Sequence, residues 1–132
     1  MEHEDPRPLC VLLVDDEPAI LQLLPRLLAD MNEHWQMSFA ESAEKGLELM
    51  VRVPFDVVVS DLNMPGMNGI EFLKEVRERY PLSARIIYSR CSDQRSILRC
   101  VGVIHQYLPK PCPLEMLKAT INRPEMIRTK HP

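Results

Sequence analysis

The sequence predicts an α/β fold: a doubly wound, five-stranded parallel sheet with helices on both faces. Three observations predict it. Short apolar runs alternate with amphipathic segments five times over, with no long insertion, the pattern of successive βα units. Two of the runs, Leu9–Val14 and Phe55–Val59, are almost continuously apolar, as strands buried on both faces must be. The runs also end in polar residues: Asp15 and Asp16, Asp61, Ser89 and Lys110. Right-handed connections bring such ends to one edge of the sheet, and open α/β sheets bind ligands at that edge.

Leu9–Val14 (LCVLLV) is the first strand, closed by Asp15, Asp16 and Glu17. Pro18 opens a helix at a position where its missing N–H costs nothing. Ile20, Leu21, Leu23, Leu24, Leu27 and Leu28 carry the helical spacing to about Met31, and Pro25 should kink the helix or divide it. Trp35–Ala40 alternates as a strand. Ser42 caps a helix with Ala43, Leu47, Leu49, Met50 and Val51 as its apolar positions. Pro54 precedes the strand that carries Asp61, and Met64-Pro65-Gly66 is a turn. From Gly69 to Tyr80, Ile70, Phe72, Leu73 and Val76 share one face of a third helix, which Pro81 ends. Arg85–Ser89 is the fourth strand. Ser92 to about Val103 is a weaker helix with Ile97, Leu98 and Val101 as its apolar positions. Gln106–Leu108 is the fifth strand, and Leu114, Leu117 and Ile121 mark a last helix beginning at Pro113 and ending at Pro124.

A chain of 132 residues suits one domain. Residues 1–8 read as an N-terminal extension, 9–123 as the domain and 124–132 as a tail or linker. The composition, 45% hydrophobic and 27% charged, is that of ordinary globular domains. No apolar run approaches the ~20 residues of a membrane helix, and MEHEDPRP lacks the basic and apolar regions of a signal peptide. A cytoplasmic location is expected, without a membrane partner. A net charge of -3 gives no reason to expect nucleic-acid binding. Cys10, Cys91, Cys100 and Cys112 lack CxxC spacing and read as reduced thiols. With four glycines, neither GxxxxGK[ST] nor GxGxxG can be written, which excludes the usual phosphate-binding loops. His3, His34, His105 and His131 have no metal-binding or general-base spacing and read as structural or exposed.

Three aspartates at one edge repel, and a divalent cation with Lys110 would balance them. All-oxygen ligation suits Mg²⁺. Asp16 and Asp61 would be direct ligands, Asp15 direct or through water, and the backbone carbonyl of Asn63 a further one. A carboxylate beside such a cation can attack a phosphoryl group to form an aspartyl phosphate. Lys110 and Mg²⁺ would stabilise the transferring charge, and Ser89 can donate to a phosphoryl oxygen.

VDDE at 14–17, DLNMPGMNG at 61–69, IIYS at 86–89 and YLPKP at 107–111 resemble the receiver domain of two-component response regulators, over nearly the whole chain and in order. The resemblance implies a flavodoxin-like, CheY-like (βα)5 fold. It implies Asp61 as phosphoacceptor from a histidine kinase or phosphotransfer protein, and Asp15 and Asp16 as the acidic Mg²⁺ pair. Ser89 takes the hydroxyl switch position, Tyr107 the aromatic switch position, and Lys110 the phosphoryl contact. Lys110-Pro111 falls where the family often has a cis peptide. The surface of the fourth helix, fifth strand and fifth helix is implied as the switched face, for an output domain, a downstream protein or a second copy. HQYLPKPC looks similar to receivers fused to HD-related output domains of the HDOD or HD-GYP kind.

Arg90 departs from the pattern, standing where the family usually has a small residue. A long cation there either crowds the pocket, slows the access of phosphodonor or water, or contacts the phosphoryl group, or else it is an exposed Arg pointing outward. Two other functions are weighed against the switch: a receiver-like scaffold that is not phosphorylated, and an aspartyl-nucleophile phosphohydrolase. The hydrolase needs an acid two residues after Asp61, where Asn63 stands. The chain is therefore expected to act as a phosphoacceptor assisting its own phosphorylation and dephosphorylation, not as a turnover enzyme.

Overall fold

The computed structural model describes residues 7–91 and 93–124. Most of the expected N-terminal extension and C-terminal tail, and Ser92 at the expected start of the fourth helix, lie outside these residues. The elements are β1 (Leu9–Val14), α1 (Pro18–Leu27), a 3₁₀ turn (Ala29–Met31), β2 (Trp35–Ala40), α2 (Ala43–Arg52), β3 (Val57–Ser60), α3 (Gly69–Arg79), β4 (Ala84–Ser89), α4 (Gln94–Arg99), β5 (Gln106–Pro109) and α5 (Leu114–Ile121). All strand pairs are parallel, in the order β2-β1-β3-β4-β5. This is the expected flavodoxin-like sheet, with its order reversing at β1 and β3.

Strand alternation builds the core in two layers. Leu12, Val14, Val58 and Ile87 pack with Ala43 and Met50 of α2, Ile70, Phe72, Leu73 and Val76 of α3, and Cys100 and Val103 beyond α4. Val11, Leu13, Val57, Val59 and Ile86 face the other way, onto Leu24 of α1, Leu28, Trp35, and Leu117 and Ile121 of α5. Each wholly buried Leu, Ile or Phe contributes ~1.5–3 kcal/mol.

Several boundaries differ from expectation. The third strand starts at Val57, because Phe55 and Asp56 anchor its approach. The Asp56 carboxylate accepts from Cys10 N–H at 2.9 Å, and the Phe55 carbonyl accepts from the Ser83 hydroxyl at 2.6 Å. Pro25 lies inside α1, which stops two residues later and gives way to the 3₁₀ turn. On that helix Leu24 is buried but Leu23 and Leu27 are exposed. On α2, Gly46 faces the core, where a Cβ would lie 3.1 Å from Val14 and 3.2 Å from Phe72, tighter than ordinary contact, and Val51 is exposed. The fourth helix is six residues, shorter than expected; Cys100 and Val103 carry its burial, and Leu98 and Val101 are exposed. Ser42 caps α2 as read, accepting from Lys45 N–H at 3.1 Å.

Candidate functional site

The site is built from strand ends and the turns that follow them. Asp15 leaves β1 with its N–H still donating to the Ala40 carbonyl at 3.1 Å. Its Oδ1 accepts from Glu17 N–H at 2.9 Å, which fixes the side chain as α1 begins. Asp61 extends β3 by one step, donating to the Val14 carbonyl at 3.0 Å, and its Oδ1 accepts from Leu62 N–H at 2.9 Å. Gly69 opens α3 directly against the Asp61 backbone: a Cβ there would lie 2.1 Å from the Asp61 carbonyl oxygen. Ser89 ends β4, and its Oγ accepts from Cys91 N–H at 3.2 Å. Lys110 follows β5, donates through its backbone to the Ser89 carbonyl at 2.9 Å, and precedes a cis peptide to Pro111 at the expected position.

The Lys110 ammonium is the hub. It lies 2.6 Å from Asp15 Oδ2, 3.2 Å from Glu17 Oε1 and 3.8 Å from Asp61 Oδ1, and 5.4 Å from the centre of the Tyr88 ring. Burial lowers its pKa, but the surrounding carboxylates, Asp15 first, outweigh that and hold it above its ordinary value. Burial pushes the Asp61 carboxyl up; Lys110 and the Ser89 hydroxyl oppose the shift without cancelling it, and Asp15 adds to it. The negative charge on Asp61 is thus under-compensated by the side chains around it.

Asp15, Asp16 and Asp61 present carboxylate oxygens within 4.8 Å of one another. Such an all-oxygen, three-carboxylate set fits a hard divalent cation such as Mg²⁺. Asp16, Asp61, Asn63, Ser89 and Lys110 line one open pocket, together with Glu17, Arg90 and Cys91. Counting Asp15, four acids and two cations leave two negative charges there, the amount a divalent ion neutralises. Sequence reasoning gave Glu17 no role, although it adjoins the acidic pair in VDDE; its carboxylate bridges Lys110 and Arg90. Arg90 keeps its guanidinium largely in solvent, yet ties it to Glu17 at 2.7 Å on the pocket rim. Tyr107 is half-buried against the α2–α3 layer, and its hydroxyl donates to the Cys91 carbonyl, which links β5 to the loop after Ser89.

The profile of the response regulator receiver domain family matches residues 11–122, and the chain belongs to that family. Its members are the phosphorelay receivers of two-component signalling, a class in which Mg²⁺ and a phosphoaspartate are general features. Among relatives, the chain is 41% identical over 103 residues to the hydrogenase transcriptional regulatory protein HoxA of Cupriavidus necator, covering 76% of this chain and 21% of that protein. It is 34% identical over 114 residues to a probable chemotaxis protein CheY of Rhizobium etli, covering 84% and 88%. It spans only 21% to 39% of the length of HoxA and the nitrate/nitrite regulator NarL of Escherichia coli. Among solved structures, the signal receiver domain of an HD domain-containing protein from Pseudomonas fluorescens aligns with a TM-score of 0.83 at 30% identity, over 93% of this chain and 99% of that one. The chemotaxis protein CheY4 of Vibrio cholerae aligns at 0.78 and 30%, over 89% and 98%.

Proposed function

We propose that Asp61 is the phosphoacceptor of this receiver, and that its phosphorylation by a histidine kinase or phosphotransfer protein switches a protein-binding surface. The observation that carries this reading is the convergence of Asp15, Asp16 and Asp61 with Lys110 in one pocket. Asp15, Asp16, Asp61 and the Asn63 backbone carbonyl would hold Mg²⁺, which when bound supplies positive charge to the phosphoryl oxygens. An Asp61 oxygen bonds to phosphorus as the bond to the donor nitrogen or oxygen breaks. Lys110 then turns from Asp15 towards the phosphoryl group, and Ser89 donates its hydroxyl hydrogen to it. Because Tyr107 is hydrogen-bonded into the loop carrying Ser89, movement of that loop releases it and alters the α4–β5–α5 face. That face meets the output domain, a downstream protein or a second copy. An HD-related output domain is the reading that HQYLPKPC and the Pseudomonas structure favour.

Residues 9–123 form the receiver, flanked by an extension and a linker, and act in the cytoplasm; among the described residues, no helix is long and apolar enough to cross a membrane. The domain assists its own phosphorylation and dephosphorylation but is not a turnover enzyme, since Asn63 cannot serve as a general acid.

The test is incubation with acetyl phosphate and Mg²⁺, followed by intact mass. A phosphate adduct lost in Asp61→Asn supports the switch. Sustained phosphate release at many turnovers would favour the hydrolase. The absence of an adduct, from acetyl phosphate or a phosphohistidine donor, would favour a scaffold.

A further inference from the structure

Ser89 is followed at once by Arg90, whose Nη1 donates to Glu17 Oε2 at 2.7 Å; Glu17 Oε1 in turn accepts from Lys110 at 3.2 Å. A line of alternating charge therefore runs from the β4–α4 loop, through the N-cap of α1, to the lysine at the centre of the site. Both Arg90 and Glu17 line the pocket that holds Asp61, and both side chains are partly in solvent, so their ion pair sits on its solvent-exposed side. The Arg90 side chain is 67% exposed, and an exposed pair of this kind adds little to folding stability. A contact so weak is readily exchanged for a stronger one. Phosphorylation supplies it: an acyl phosphate brings three acceptor oxygens and a charge near −2 at neutral pH, and a guanidinium fork matches such oxygens in charge and geometry.

Resting on the reading of Asp61 as phosphoacceptor, we propose that Arg90 is a further phosphoryl-binding residue, which moves from Glu17 to the phosphoryl oxygens and slows hydrolysis of the aspartyl phosphate. In that hydrolysis a water oxygen bonds to phosphorus while the bond from phosphorus to the Asp61 oxygen breaks. The carboxylate keeps the bonding pair, and both water protons leave on dihydrogen phosphate. The water must arrive in line, opposite the departing oxygen, and so from the open side of the pocket, whose lining includes the solvent-exposed Arg90. Glu17 serves as the resting partner and keeps the guanidinium close.

The experiment phosphorylates the wild type, Arg90→Ala and Arg90→Lys with acetyl phosphate and Mg²⁺, removes the donor, and follows decay of the adduct by intact mass. Equilibrium binding of beryllofluoride with Mg²⁺ gives a readout independent of turnover, and thermal melting checks that the variants fold. Arg90→Ala is expected to lose its adduct about tenfold faster and to bind beryllofluoride more weakly by a similar factor, the scale of one hydrogen bond to a charged group. Arg90→Lys should fall between. A wild-type adduct whose lifetime is unchanged or lengthened in Arg90→Ala overturns the role of Arg90 alone. No adduct on the wild type, from acetyl phosphate or phosphoramidate, overturns the phosphoacceptor reading and this proposal with it.

Discussion

A Cβ at Gly69 would meet the Asp61 carbonyl oxygen at 2.1 Å and Leu62 Cα at 2.9 Å. Backbone cannot step aside as a side chain can, so Gly69→Ala must push α3 off the Asp61 turn. We expect it to lower stability by ~2–4 kcal/mol, the range of over-packing and backbone strain, and to cut formation of the Asp61 adduct; urea unfolding and intact mass measure the two effects. An adduct at wild-type yield would show that the turn tolerates the shift. The glycine was legible in DLNMPGMNG as part of a resemblance, but its reason is a contact with a residue eight positions earlier. Arg85 was legible only as part of a strand. In the fold it is buried, donating from Nε to the Val103 carbonyl at 2.6 Å and from Nη1 to the Ser83 and Pro81 carbonyls at 3.1 and 3.3 Å. Burial, with Arg77 nearby, lowers its pKa to about 10. His105, read as structural or exposed, proves structural: its Nδ1 accepts from Arg85 N–H at 3.0 Å.

At the scale of elements, legibility follows where the apolar residues face. α3 was plain because Ile70, Phe72, Leu73 and Val76 are all buried. Its start at Gly69 was read but its cap was not: Asn68 forms a reciprocal capping box, in which Asn68 Oδ1 accepts from Glu71 N–H at 2.9 Å and Glu71 Oε1 from Asn68 N–H at 3.0 Å. Asn68→Ala should cost ~1 kcal/mol in a denaturant midpoint, with an unchanged slope. α4 was overextended because Leu98 and Val101 have core-like character but solvent-facing positions. With six residues, no buried residue of its own, and an Asp93 cap whose contact to Ser96 N–H is 3.4 Å, it has little to hold it closed. Amides of Ile97–Arg99 should exchange much faster than those of Leu73–Val76, as hydrogen exchange followed by NMR or mass spectrometry would show. Equal protection would mean that α4 is held by more than these contacts.

The whole molecule was legible because each apolar run had to be buried on both faces, and one parallel sheet then places every strand's polar end on one edge. Distances between those ends could not be read, nor which acid Lys110 would choose, because these depend on the register of strands far apart in sequence. The assembled charges give a prediction at this scale. Burial raises the Asp61 pKa, so the folded protein holds that proton more tightly than the unfolded chain. The stability linked to the neutral carboxyl is complete below the unfolded value of ~3.9 and is lost as pH rises through the raised folded value. At pH 7 in Mg²⁺-free buffer, Asp61→Asn should therefore melt higher than the wild type, and its advantage should vanish below the ordinary carboxylate range. Mg²⁺ acts oppositely, because a ligand of the native state alone stabilises by RT ln(1 + [L]/Kd), ~2.7 kcal/mol at one hundred times Kd. Removing one of the three carboxylates should blunt that gain, so added Mg²⁺ should raise the wild type well above its Mg²⁺-free melting point and the variant far less. Melting curves across pH, with and without Mg²⁺, check both halves. Parallel curves for the two proteins under every condition would show that Asp61 carries neither a burial cost nor a share of the metal.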